Sequence, residues 1–87
     1  MHRFTVTWTD SAQAVLASLW NDNPAVRQEI SDSANEIDRT LAKCGDEVGE
    51  QLPGRQRHLA LPPLAILFIV EEQDRRIDVT AVKFWER

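Results

Sequence analysis

The side chains best able to do chemistry are a short basic cluster, Arg55, Arg57 and His58, and a group near the end of the chain, Lys83, Trp85 and Arg87. Closely set cations are what a phosphate-bearing partner requires, because phosphate neutralisation supplies most of the strength of nucleic-acid binding. The rest of the chain opposes such a partner. Its net charge is −4; residues 1 to 50 carry nine Asp and Glu against four Lys and Arg, while residues 51 to 87 carry five against six. Non-specific nucleic-acid binding is disfavoured, and any phosphate site has to be a local patch.

Other chemistries find less support. Cys44 is the only cysteine, which excludes an internal disulfide and a cysteine-based zinc cluster. Its single cationic neighbour, Lys43, stands with it at the expected end of a helix, where the dipole disfavours a thiolate, so Cys44 reads as structural. His2 and His58 have no ligand-like spacing, so no metal is expected. The three glycines, Gly45, Gly49 and Gly54, are isolated and form no phosphate loop, and no cofactor is expected.

The elements that must position these residues follow from periodicity. Phe4, Val6 and Trp8 alternate with Arg3, Thr5 and Thr7, predicting a strand over Arg3 to Trp8 with one apolar face. Asp10 followed by Gln13 has the form of a helix cap, and Ala12, Val15, Leu16, Leu19 and Trp20 give a first helix ending near Asn21. Asn23-Pro24 restarts the helix. Val26, Ile30, Ala34, Ile37 and Leu41 form the apolar stripe of a second helix from Pro24 to Cys44, which Gly45 is expected to end in a left-handed conformation. Residues 45 to 54 read as a loop. Three strands follow: Arg55 to Leu61, then Leu64 to Val70 after the break at Pro62-Pro63, then Ile77 to Trp85 beyond a charged hairpin from Glu71 to Arg76. The seven apolar residues from Leu64 to Val70 can hide both faces only in the middle of a sheet.

The expected architecture is α+β, in the order β-α-α-β-β-β. A helical hairpin packs on one face of a mainly antiparallel four-stranded sheet, in one domain spanning residues 1 to 87. The 43% hydrophobic and 28% charged shares are those of an ordinary globular chain. No apolar run approaches the roughly 18 to 20 residues that span a bilayer. Met1-His2-Arg3-Phe4 opens a strand pattern rather than the apolar block of a secretory signal, so the expected location is cytoplasmic, with no membrane partner.

In this order of elements the chain resembles the RelE/ParE family of bacterial toxins, the plasmid-stabilisation-like partners of type II toxin–antitoxin modules. The resemblance is carried by Val6-Thr7-Trp8, Ala12 and Leu19, Ile37-Asp38 and Leu41, Arg57-His58-Leu59, the run from Pro62 to Val70, and Val79-Thr80-Ala81-Val82-Lys83. It implies a growth-inhibiting toxin neutralised by a cognate antitoxin that wraps it with a helix or an added strand, as a homodimer or a toxin–antitoxin hetero-oligomer. The acidic outer face of the second helix suggests basic contact residues on that antitoxin. ParE-like members act on DNA gyrase. RelE-like members cut messenger RNA in the ribosomal A site without a metal, basic residues stabilising the phosphate while the 2′-hydroxyl attacks.

For a ribonuclease the resemblance implies that Arg55 and Arg57 hold phosphate, His58 moves a proton, Lys83 neutralises the transition state and Trp85 stacks on a base, with Arg87 as a further binding contact. Each has a plainer reading: rim charges or antitoxin contacts for the arginines, a partly buried strand residue for His58, an edge charge for Lys83, core closure for Trp85. Strand parity favours the plainer set. With Phe4, Val6, Trp8, Leu59, Leu61, Ile77 and Val79 facing the helices, the open face receives Arg3, Thr5, Thr7, Gln56, His58, Asp78 and Thr80. Arg55, Arg57, Lys83 and Trp85 then share the core parity and reach solvent only at strand ends, unless a bulge reverses a register. Where family ribonucleases tend to place a terminal His or Tyr, this chain has Phe84-Trp85-Glu86. The expected function is a toxin that binds a protein target, with gyrase as the precedent. The alternatives are a metal-independent messenger-RNA endoribonuclease and a non-toxic interaction module.

Overall fold

The computed structural model describes residues 3 to 85, so Arg87 and His2 lie outside the described residues. The elements are β1 (Thr5–Trp8), α1 (Asp10–Asp22), a 3-10 turn (Pro24–Val26), α2 (Arg27–Cys44), β2 (Glu50–Gln51), β3 (Gln56–Leu61), β4 (Leu64–Glu71) and β5 (Arg76–Phe84). The sheet order is β1-β5-β4-β3-β2; β1 runs parallel to β5 and every other pairing is antiparallel. The α+β class and the four expected strands are present. A fifth strand, β2, lies inside the expected loop, where two residues carry no period to read. Gly49, at φ +83, turns the chain onto that edge, where a Cβ would come within 2.7 Å of the His58 carbonyl oxygen.

The apolar run of β4 holds the centre of the sheet. Leu64, Ile66 and Phe68 are fully buried and pack with Ile77 and Val79 of β5 and with Ile30, Ile37 and Leu41 of α2. The α2 stripe takes in Ser33 beside the half-buried Ala34, which packs against the core, and the Ser33 hydroxyl donates to the Leu61 carbonyl, which satisfies it inside the core.

The helix ends differ from the expected ones in two places. Thr9, not Asp10, caps α1: its hydroxyl accepts the Ala12 N–H at 3.2 Å, which leaves Asp10 in the first turn, where the dipole favours a carboxylate. Gln13 does reach back, donating to the Trp8 carbonyl at 2.9 Å. Gly45 is right-handed, at φ −60, so it serves close approach and not a left-handed turn. A Cβ there would meet Ile77 Cδ1 at 2.0 Å and the Leu41 carbonyl oxygen at 2.7 Å. Gly45→Ala is therefore expected to lower stability by about 1 to 3 kcal/mol, the usual cost of overpacking. Urea unfolding followed by circular dichroism measures it, and an unchanged midpoint would show that Gly45 is not needed for packing.

Candidate functional site

The register of β5 against β4 slips between Leu67 and Phe68: Leu67 pairs with Ala81, Phe68 with Val79, and Thr80 has no partner across the ladder. This one-residue bulge reverses the parity of everything after it. Val82 and Phe84 turn toward the helices, Val82 buried and Phe84 packed on the core, so Ala81, Lys83 and Trp85 face the open side. The expectation that Lys83 and Trp85 share the core parity is corrected by this bulge. The Thr80 hydroxyl donates to the Leu67 carbonyl at 3.3 Å and fastens the irregular residue to the neighbouring strand.

His58, paired with Leu67, joins them on that face. Its ring lies 5.8 Å from that of Trp85, and Lys83 Nζ stands 5.4 Å from the Trp85 ring centroid. Trp85 is 37% exposed and does not close the core; its backbone N–H is held by the Pro63 carbonyl at 2.6 Å. His58 and Lys83 border a shallow concavity of about 140 Å³ that also meets Ala65, Leu67 and Ala81. The small alanines keep this surface low, so a flat or apolar group can rest against it beside one ammonium and one imidazole.

The surrounding charge does not extend this into a basic patch. Glu50 of β2 pairs with His58 across the ladder. At the other end of β5, Arg76 donates to Asp78 at 2.9 and 3.3 Å and lies 3.6 Å from Asp74. The hydrogen bond to Asp78, and then that carboxylate's charge, raise the Arg76 pKa above its ordinary value, so its cation is fixed and already matched.

Arg55 and Arg57 do not join His58 and Lys83. Arg57 pairs with Phe68, which places it on the helix side of the sheet, and it donates to the Val48 carbonyl at 3.3 Å. Arg55 forms an ion pair with Glu71 at 2.9 Å. Both line a polar hollow of about 600 Å³ together with Asp46, Glu71, Glu72 and Asp74, a setting whose carboxylates repel phosphate. The four residues of the expected ribonuclease set thus fall on two faces of the sheet.

A third feature, which sequence reasoning missed, is a groove of about 680 Å³ between α1 and α2. It is lined by Leu16, Ala17 and Trp20 on one helix and by Ile30, Ala34 and Asp38 on the other, with Trp8 of β1 also exposed to it. The Trp8 indole donates to Asp38 Oδ1 at 2.7 Å, a pairing across 30 residues that local pattern does not announce. The spacing of Leu16 and Trp20 was readable as an apolar face, but not that α2 leaves it uncovered. Among the described residues no group of three or more His, Cys, Asp or Glu gathers to hold a metal, and no helix is long and apolar enough to cross a membrane.

No protein-family model and no curated protein matches the sequence. Solved structures do match in fold. A chain of the Mycobacterium tuberculosis toxin–antitoxin complex RelBE2 superposes with TM-score 0.79 at 16% identity, over 97% of this chain and 93% of that one. A chain of the chromosomal ParDE toxin–antitoxin system of Pseudomonas aeruginosa gives 0.73 at 18%, over 99% and 100%. TrmO from P. aeruginosa gives 0.63 at 22%, over 94% of this chain but 33% of that one. The chain has the RelE/ParE fold.

The bulge yields a direct test. Deleting Thr80 removes only the surplus residue and leaves Val79, Val82 and Phe84 on the helix side of a regular strand, whereas Val82→Asp, on the buried side after the bulge, is expected to cost at least about 3 kcal/mol, the scale of burying an unpaired charged group. Thr80→Ala keeps the extra residue and loses one hydrogen bond, about 1 kcal/mol. Thermal unfolding of the variants compares these costs, and a Val82→Asp protein as stable as Thr80→Ala would contradict the assigned register.

Proposed function

We propose that this chain is the toxin component of a type II toxin–antitoxin module, acting in the cytoplasm by binding a protein target and held inactive by a cognate antitoxin. The fold it shares with chains of two toxin–antitoxin systems supports the module. The mode of action rests on one observation: Arg55 and Arg57 are turned away from His58 and Lys83, and are engaged by Glu71 and the Val48 carbonyl. A phosphodiester-cleaving site needs its cations to converge on one phosphate. What the open face offers is a recognition surface, with Trp85 as an aromatic anchor flanked by Lys83 and His58. DNA gyrase is the target with precedent among ParE-like toxins.

A second reading, messenger-RNA cleavage, is favoured by the bulge alone, because it brings an imidazole, an ammonium and an exposed indole onto the same face. In that reading Trp85 stacks on a base, Lys83 neutralises phosphate and His58 moves the proton.

Induction in a bacterial host separates the readings. Under the binding reading growth stops, Arg57→Ala and Lys83→Ala each weaken the arrest by less than about tenfold, within the cost of one exposed contact, and purified protein inhibits gyrase supercoiling. Abolition of arrest by both substitutions would favour cleavage. Unimpaired supercoiling at saturating protein would remove gyrase as the target, and absence of arrest would leave an interaction module.

A further inference from the structure

We propose that the groove between α1 and α2 receives an amphipathic α-helix of a partner protein, about two turns long, with leucine-like residues on its inner side and lysine or arginine along its flanks. That the helix belongs to the antitoxin rests on the reading above; the groove and the chemistry of its occupant do not.

The geometry sets the shape. On α1 the lining residues Gln13, Leu16, Ala17, Trp20 and Asn21 recur at helical spacing, and α2 faces them with a stripe of its own that ends at Asp38. Ala17 and Ala34 are too small to close the gap, so two helices that elsewhere form a hairpin leave an apolar channel open. The lined stretch of α1, nine residues from Gln13 to Asn21, spans about 12 Å at a rise of 1.5 Å per residue, which fits about two turns of helix.

The aromatic wall is held in advance. Trp20 is 41% exposed, yet Arg27 stacks 4.3 Å from its ring and donates to its carbonyl at 2.8 Å. Trp8 is fixed by Asp38. Anchors that need no ordering on binding are those that carry affinity.

Charge selects the occupant. From Asp10 to Cys44 the helical layer carries six carboxylates against Arg27, Arg39 and Lys43. Arg27 is engaged by Trp20, and Arg39 is paired with Glu36. An acidic helix would be repelled along the channel, while a basic one meets Asp38 at its end and a negative surround on both sides.

The test uses the full chain and two helix-stapled peptides of about 14 residues, roughly 20 Å of helix, identical in their leucines but flanked by lysines in one and glutamates in the other. Tryptophan emission and titration calorimetry read binding. The lysine peptide is expected to saturate the protein, with the glutamate peptide at least about tenfold weaker. Ala17→Glu, an exposed position on the groove wall, should abolish binding while circular dichroism stays unchanged. Asp38→Asn, which leaves an acceptor for Trp8, should weaken the lysine peptide by about threefold, as for one exposed ion pair. Equal binding of the two peptides, insensitivity to Ala17→Glu, or no saturable binding would overturn the proposal. So would a dimer in sedimentation that Ala17→Glu dissociates, because the occupant would then be a second copy. Growth arrest is scored separately: arrest without peptide binding removes the groove assignment and leaves the toxin reading, and binding without arrest does the reverse.

Discussion

A single surplus residue, Thr80, decides what each face of this protein presents. A regular strand alternates its side chains, so β5 could bury either its odd or its even positions along its whole length. It has to bury both kinds. Ile77 and Val79 pack in the core on one side of the bulge, Val82 and Phe84 on the other, and only an inserted residue lets one strand do this. The apolar demand of the core thereby sets the functional surface: with Val82 and Phe84 turned inward, Lys83 and Trp85 turn outward to His58.

The same parity rule separates the arginines from that group. Arg57 follows Phe68 to the helix side, and Arg55 lies with it beside four carboxylates. Three of the surfaces formed by the described residues differ in character. The open face is small and faintly basic around an aromatic ring; the hollow beyond α2 is polar and charge-matched; the α1–α2 groove is apolar within an acidic surround. None gathers the convergent cations that phosphoryl chemistry requires, and two have the anchor-and-rim form of binding surfaces. Because the same fold occurs in chains of toxin–antitoxin systems and within a third of TrmO, side chains and not the fold must decide activity.

What the sequence disclosed is what local pattern encodes. The run from Leu64 to Val70 marks the central strand because no other position hides both faces, and β1 and α2 announce themselves by periods of two and of three to four. The open-face positions of His58 and Asp78 follow from alternation alone. What it withheld depends on contacts across the chain. The bulge is invisible in Val79-Thr80-Ala81-Val82, where either parity is apolar enough to bury. Gly45 resembles a left-handed stop, but Ile77, distant in sequence, gives it a different duty. The Thr9 cap outcompetes Asp10 through one hydrogen bond, and α2 buries Ser33 more fully than Ala34, which packs on the core and also lines the groove.

The central claim, that the basic residues among those described do not assemble a phosphate-cutting site, is tested most directly by primer extension on translated messages after induction. The division of Arg55 and Arg57 from His58 and Lys83 predicts growth arrest with no new 5′ ends at A-site codons. Codon-phased cuts that appear on induction and vanish with His58→Ala or Lys83→Ala would contradict it, and would show that three side chains gathered by one bulge are enough for catalysis.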